Sequence, residues 1–177
     1  MAAEAIARAV LSVFRQQSTG GQERFGNWHG RLATALEKPL LDAYLYGLRK
    51  HRARDDEWAA TQAEAQAREA AVQVNDSTTN MLESGREYRE VFSSDRAALI
   101  GVDQWDKAVS AAQVRAAQSK GLKLRWVTRG PRVCPTCRKL SGKVRNPGKA
   151  FGVWNGEPIL APPVHPSCYC VLEEVRA

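Results

Sequence analysis

The 177 residues are enough for one domain with a small appendage, and a hydrophobic fraction of 44% supports a modest core poor in aromatics at 7%. Residues 1–120 hold 16 Lys and Arg against 16 Asp and Glu, whereas residues 121–177 hold 10 against 3, so the whole net charge of +7 lies in the last third. No run of about 18 apolar residues offers a membrane span, and Ala2–Phe14, interrupted by Glu4 and Arg8, lacks the basic start and unbroken apolar run of a signal peptide.

Residues 3–17 read as a short helix with Ile6, Val10, Val13 and Phe14 on one face. The Gly20-Gly21 break after it makes that helix either an arm for a partner or a piece of the chain's own core. Residues 30–74 are strongly helical. Leu32, Leu36, Leu40, Leu41, Tyr44, Leu45 and Leu48 form an apolar stripe, with a kink or break expected at Pro39. From Trp58 to Val74 the segment is rich in Ala, Gln and Glu and has high helix propensity with a thin apolar face. The basic run Arg49–Arg54 is followed at once by Asp55-Asp56-Glu57 and reads as a solvated, self-neutralising helix face.

Asn75-Asp76-Ser77 is expected to end that segment and cap a new helix to about Phe92, with Met81, Leu82, Tyr88 and Phe92 inward. Ser94-Asp95 marks another start. The helix that follows carries Leu99, Val102, Trp105, Val109, Ala112 and Ala116, and stops at Lys120-Gly121. Leu122, Leu124 and Trp126 then alternate with Lys123, Arg125 and Val127 as a strand. Residues 128–167 read as loops and short strands held by something other than a large core, and a strand resumes at Cys168. The fold class expected is α+β: a mainly helical N-terminal two thirds, then a small β-rich, zinc-binding C-terminal module. The organisation expected is 1–75 as helical arm and hairpin, 76–121 as a second helical part and 122–177 as the basic module.

All four cysteines lie between 134 and 170. Cys134-Pro-Thr-Cys137 has the spacing that lets two sulfurs reach one ion, and His165-Pro-Ser-Cys168-Tyr-Cys170 follows further along. Zinc takes four ligands in a tetrahedron, commonly thiolates with or without imidazole. Five candidates, Cys134, Cys137, His165, Cys168 and Cys170, compete for those positions, and the favoured set is Cys134, Cys137 and Cys168 plus one of His165 or Cys170. A module this small gains from a structural Zn2+ the folding free energy that its core lacks. A thioredoxin-like dithiol needs a βαβ setting that the pattern does not show. His29 and His51 lie in helical segments and read as surface residues. No phosphate loop, nucleophile elbow or metalloprotease helix motif occurs, so the chain reads as non-enzymatic. The basic tail suggests a polyanion, with Arg125, Arg129, Arg132, Arg138, Lys139, Lys143 and Arg145 as candidates for non-specific contact with double-stranded DNA; the plainer alternative is a solvated basic surface.

A resemblance follows from the order of these features. Arg96-Ala-Ala-Leu-Ile100 comes first, then Gly121, Lys123-Leu-Arg-Trp126, Val133-Cys-Pro-Thr-Cys137, Leu140-Ser-Gly142, Pro162-Pro163 and His165-Pro-Ser-Cys-Tyr-Cys170. Over residues 76–173 this resembles the tailed-phage minor head proteins of the Mu F-like head morphogenesis family. Tyr169 stands where Arg is usual there, and Gly101-Val-Asp103 where a Thr-Glu pair is usual. The resemblance implies a virion component in the phage head, present in the host cytoplasm during assembly. It would associate with the portal and/or major capsid protein and with packaged DNA, and act in head assembly or DNA delivery. The competing readings are a zinc-module nucleic-acid-binding regulatory protein and, further off, a nuclease or a thiol oxidoreductase.

Overall fold

In the computed structural model, residues 2–18, 28–131 and 133–176 are described; the Gly20-Gly21 break and Arg132 lie outside them. Helices dominate the first two thirds and the strands fall in the last third, so the chain is α+β. Its elements are α1 (Ala2–Ser18), α2 (Trp28–Lys50), α3 (Asp56–Glu83), α4 (Tyr88–Val91), α5 (Ser94–Ser119), β1 (Lys123–Val127), α6 (Pro135–Leu140), β2 (Val144–Arg145), β3 (Gly152–Trp154), β4 (Glu157–Ile159) and β5 (Val171–Val175). Two compact units emerge: residues 1–43 with 56–105, and residues 44–55 with 106–177. No described helix is long and apolar enough to cross a membrane.

The first unit is helical. On α1, Ile6, Val10, Val13 and Phe14 are all buried, and the Phe14 ring meets Phe92 edge-on at 5.3 Å and Trp28 at 6.4 Å. Of the two expectations for this helix, burial in the chain's own core is the one found. Gly101 makes the approach possible: a Cβ there would lie 2.8 Å from the Ala3 carbonyl oxygen and from Ala7 Cβ. α2 runs unbroken through Pro39. Leu36 and Leu40, both fully buried, flank the proline and hold the helix where propensity alone would end it.

Three expectations for this unit need correction. Asn75-Asp76-Ser77 does not end a helix; α3 continues to Glu83. Its polar residues are satisfied without breaking the backbone, because Thr78 Oγ1 donates to the Val74 carbonyl at 2.6 Å and Ser77 Oγ accepts from Arg96 at 2.6 Å. The stop comes at Gly85, in the left-handed region at φ 82°, where the Arg86 N–H reaches the Met81 carbonyl and the Gly85 N–H the Leu82 carbonyl. Second, Tyr88 is exposed, and of the four side chains expected inward only Phe92 is buried. Third, Leu99 and Val102 face outward at 63% and 51% exposure. The buried face of α5 is the small-residue row Ala97, Gly101, Ala108, Ala112 and Ala116, with Gln104 among them. Helices this close need small side chains between them, so size rather than hydrophobicity selects the face.

In the second unit β1 is the centre of an antiparallel sheet ordered β2-β1-β5, with Leu124 opposite Glu174 and Trp126 opposite Leu172. Leu124 and Trp126 point inward as the alternation requires. They join Leu140, Phe151, Ile159, Leu172 and three cysteines in one buried cluster. Residues 128–167 therefore do have a core, small but continuous, in which burying Leu124 or Phe151 contributes about 1.5–3 kcal/mol each. They also contain a helix, α6, which the loop reading did not include. β3 and β4 form a hairpin around Asn155 (φ 50°) and Gly156 (φ 87°), the two left-handed residues that a tight hairpin turn needs.

The Arg49–Glu57 run is not a single helix face. α2 ends at Lys50, and the partners lie elsewhere in the unit: Asp55 accepts from Arg115 at 2.7 Å, and His51 Nδ1 lies 2.7 Å from Glu174. His51 is thus a half-buried bridging residue, not a free surface one, while His29 is exposed as expected.

Candidate metal centre

Cys134 stands at the N-cap of α6, with Pro135 in the first turn, where its missing N–H is not needed. The Cys134 sulfur takes the capping role and accepts the Cys137 N–H at 3.3 Å. One turn of helix then presents Cys137 on the same side as Cys134, and Leu140 anchors the helix in the core. This is the physical content of the two-residue spacing: a capped turn, not a loop, holds both sulfurs.

The second pair of motif residues arrives from the other end of the module. A turn closed by the Cys168 N–H on the His165 carbonyl at 3.2 Å, with Ser167 at φ 61°, precedes β5. Cys168 and Cys170 both lie ahead of that strand, which begins at Val171, and both are buried. The strand expected to resume at Cys168 therefore starts later, because the backbone bends to bring both sulfurs inward.

All five predicted ligands converge. Ligand atoms of Cys134, Cys137 and His165 lie within 4.8 Å of one another, and so do those of Cys137, Cys168 and Cys170. Cys137 belongs to both groups and is the centre of the cluster. Its sulfur is 3.7 Å from that of Cys168, about the edge of a tetrahedron with metal–sulfur bonds of about 2.3 Å. All five line one small cavity with Arg129, Val133, Ser167 and Tyr169.

The electrostatics are those of crowded, buried thiols. Burial, then the neighbouring Cys134, Cys170 and Cys168 groups, push the Cys137 thiol far up. Burial, and less strongly Cys168, also raise Cys170, partly offset by the Cys137 side chain and then by the Arg129 backbone N–H. Burial works against the Cys134 thiolate too, but the Cys137 N–H and the Cys137 and His165 side chains outweigh it and leave that thiol below its ordinary value. The Pro166 carbonyl, and less strongly Cys134, raise His165 against the effect of burial. His165 Nδ1 lies 2.9 Å from the Pro166 carbonyl oxygen, while Nε2 is buried with no partner in hydrogen-bond geometry. A buried orphan nitrogen beside crowded thiols is what a ligand looks like before its ion is counted. The residues fit a thiolate-binding metal ion.

The predicted DNA-contacting residues are scattered over several elements. Arg125 on β1, Arg129 after it, Arg138 and Lys139 on α6 and Arg145 on β2 are exposed. Lys143 is half-buried and donates to the Phe151 carbonyl, which occupies it structurally. Arg132 lies outside the described residues. Sequence reasoning did not single out Arg129 and Tyr169 as cavity residues; the signal available was their adjacency to Gly130 and to two ligands.

No protein family, curated protein or solved structure gives a significant match to this chain.

Proposed function

We propose that the chain is a non-enzymatic structural minor head protein of a tailed phage. Its C-terminal module is folded around one zinc ion and turned toward packaged DNA. The observation that supports this reading best is the convergence of Cys134-Pro-Thr-Cys137 with His165-Pro-Ser-Cys168-Tyr-Cys170, because these two motifs are also the core of the resemblance to the Mu F-like head morphogenesis proteins.

Zinc is the metal of choice for a donor set of thiolates and one imidazole. Bound there, it would neutralise the crowded thiolates and tie α6 to the chain entering β5. The role is structural: among the described residues lining the cavity there is no carboxylate to serve as a general base. Glu157, the one acidic residue between the two motifs, is exposed on β4.

On this reading the protein resides in the virion head, and in the host cytoplasm during assembly, in contact with the portal and/or major capsid protein. Exposed Arg125, Arg129, Arg138, Lys139 and Arg145 meet double-stranded DNA through its phosphates, with no sequence preference. Each phosphate neutralised releases counterions, so affinity falls steeply as salt rises. Two measurements test the reading. Mass spectrometry of purified phage particles should find the chain at a few copies beside the portal protein; particles that lack it exclude the assignment. Duplex DNA binding titrated against salt should give a steep log–log slope, and a slope near zero removes the phosphate contact. Tight binding confined to one sequence would favour a regulatory zinc module instead.

A further inference from the structure

Two exposed aromatic rings flank the cysteine cluster, and neither is a metal ligand. Tyr169 lies between the ligands Cys168 and Cys170, yet its side chain is turned out at 63% exposure. One face of its ring rests on Gly130: a Cβ added there would meet Tyr169 Cδ2 at 3.0 Å. Gly130 sits at φ 92°, a conformation other residues rarely adopt, so the support under the ring is built into the backbone. Trp154, 38% exposed, is fixed just ahead of the Asn155-Gly156 turn and leans on the His165 ring at a centroid distance of 6.4 Å. His165 and Tyr169 line the same cavity, and exposed Arg129 borders it. Each ring is thus held from behind and open in front, in the segment that carries all the net positive charge.

We propose that Trp154 and Tyr169 are a stacking platform for unpaired bases of single-stranded DNA, with Arg129 beside them to meet the phosphate. The inference rests on the DNA-facing reading of the module and adds to its duplex phosphate contacts a second mode, for unpaired strand. Bases in a duplex hide their faces; only an unpaired strand can lay a base on an exposed ring, while its backbone follows the surrounding cations. A ring pre-set against backbone loses little freedom when a base docks on it. Arg129, which lines the same cavity as Tyr169, and the net charge of +7 carried by residues 121–177 favour a polyanion, although Glu157 stands opposite Trp154 on β4.

The test is fluorescence anisotropy with a labelled oligothymidylate of about 16 nucleotides, the upper site size of one single-strand-binding fold. A duplex of the same length is run in parallel on the full-length, metal-loaded protein. Trp154→Ala and Tyr169→Ala should each weaken oligothymidylate binding about tenfold, leave the salt slope unchanged and leave duplex binding unchanged. Zinc content is measured for every variant. Should an alanine variant lose metal, Trp154→Leu and Tyr169→Leu keep apolar bulk without a π face and carry the same expectation. Unchanged oligothymidylate affinity in either variant, or an equal loss on duplex, overturns the platform. Binding to duplex but not to oligothymidylate overturns it and spares the DNA-facing reading; binding to neither overturns both.

Discussion

His165 Nδ1 lies 2.9 Å from the Pro166 carbonyl oxygen, a contact it can make only by donating its proton. The lone pair is thereby assigned to Nε2, the buried atom with no hydrogen-bond partner of its own. Metal-bound imidazoles are oriented in this way by a carbonyl on the far nitrogen. The relationship separates His165 from Cys170 as the fourth ligand. His165 Nε2 is buried, has no partner in hydrogen-bond geometry and lies in the same ligand group as Cys134 and Cys137, which favours it as the fourth ligand. We therefore expect His165→Ala to weaken zinc binding by one to two orders of magnitude, and Cys170→Ser to weaken it less. Competition with a chromophoric chelator measures both, and the reverse order would make Cys170 the ligand.

The thiol shifts give the pH dependence two opposite signs. Cys137 and Cys170 are raised above the ordinary 9.0, so in the metal-free fold they keep their protons. In the metal-free module the contribution of these two thiols to stability is fully present below about pH 9 and falls as pH rises and the unfolded chain ionises. The metal-bound module behaves in reverse, because zinc must displace those protons and is lost as pH falls. Thermal melts of chelator-treated and zinc-loaded protein across pH should therefore diverge, and parallel curves would show that the metal does not use these sulfurs.

Arg96 should be the most sensitive surface-reaching residue of the helical unit. Its guanidinium donates to the Val91 carbonyl at 2.7 Å, Ser77 Oγ at 2.6 Å and Thr78 Oγ1 at 2.9 Å, and lies 5.3 Å from the centre of the Phe14 ring. Burial holds its pKa below the usual value without a carboxylate among those partners. Replacement by Ala strands several acceptors at once, at a cost of about 2–3 kcal/mol. Replacement by Lys should cost nearly as much, since one ammonium cannot span the fork. Urea unfolding checks both, and a loss below about 0.5 kcal/mol would contradict the clamp.

The position of α1 is testable through Gly101. Any side chain there meets the Ala3 carbonyl and Ala7 at 2.8 Å, so Gly101→Ala should cost about 1–3 kcal/mol by overpacking. Removal of residues 1–18 strips Ile6, Val10, Val13 and Phe14 from the core and should unfold the helical unit. A truncated protein with unchanged helicity would make α1 a detachable arm after all. The close passage of α1 gives Gly101 its reason in this chain.

What the sequence disclosed depended on the length scale of the signal. The convergence of the five candidate ligands and the β1 alternation are legible in the sequence because spacing and period are local properties. The stop at Gly121 was legible for the same reason: the Leu122 N–H to Ala117 carbonyl bond that ends α5 is made within one turn. The continuity of α3 through Asn75-Asp76-Ser77 was not, since it depends on Arg96 supplying partners from another helix. Leu99 and Val102 lie on the exposed side of α5 although they outrank Ala and Gly in hydrophobicity, because interhelical distance selects for size. α6 was missed because cysteine is a rare cap, although Pro135 and the Leu140-Ser-Gly142 stop were in plain view. Asn155-Gly156 was a hairpin signal left unused.

The most direct measurement is the metal content of the intact, reduced protein by inductively coupled plasma mass spectrometry. The account predicts one zinc per chain, lost when Cys134 and Cys137 are both replaced by Ser, together with the circular dichroism and proteolytic protection of residues 122–177. A reduced, folded protein that contains no metal and takes up none when zinc is supplied would contradict it.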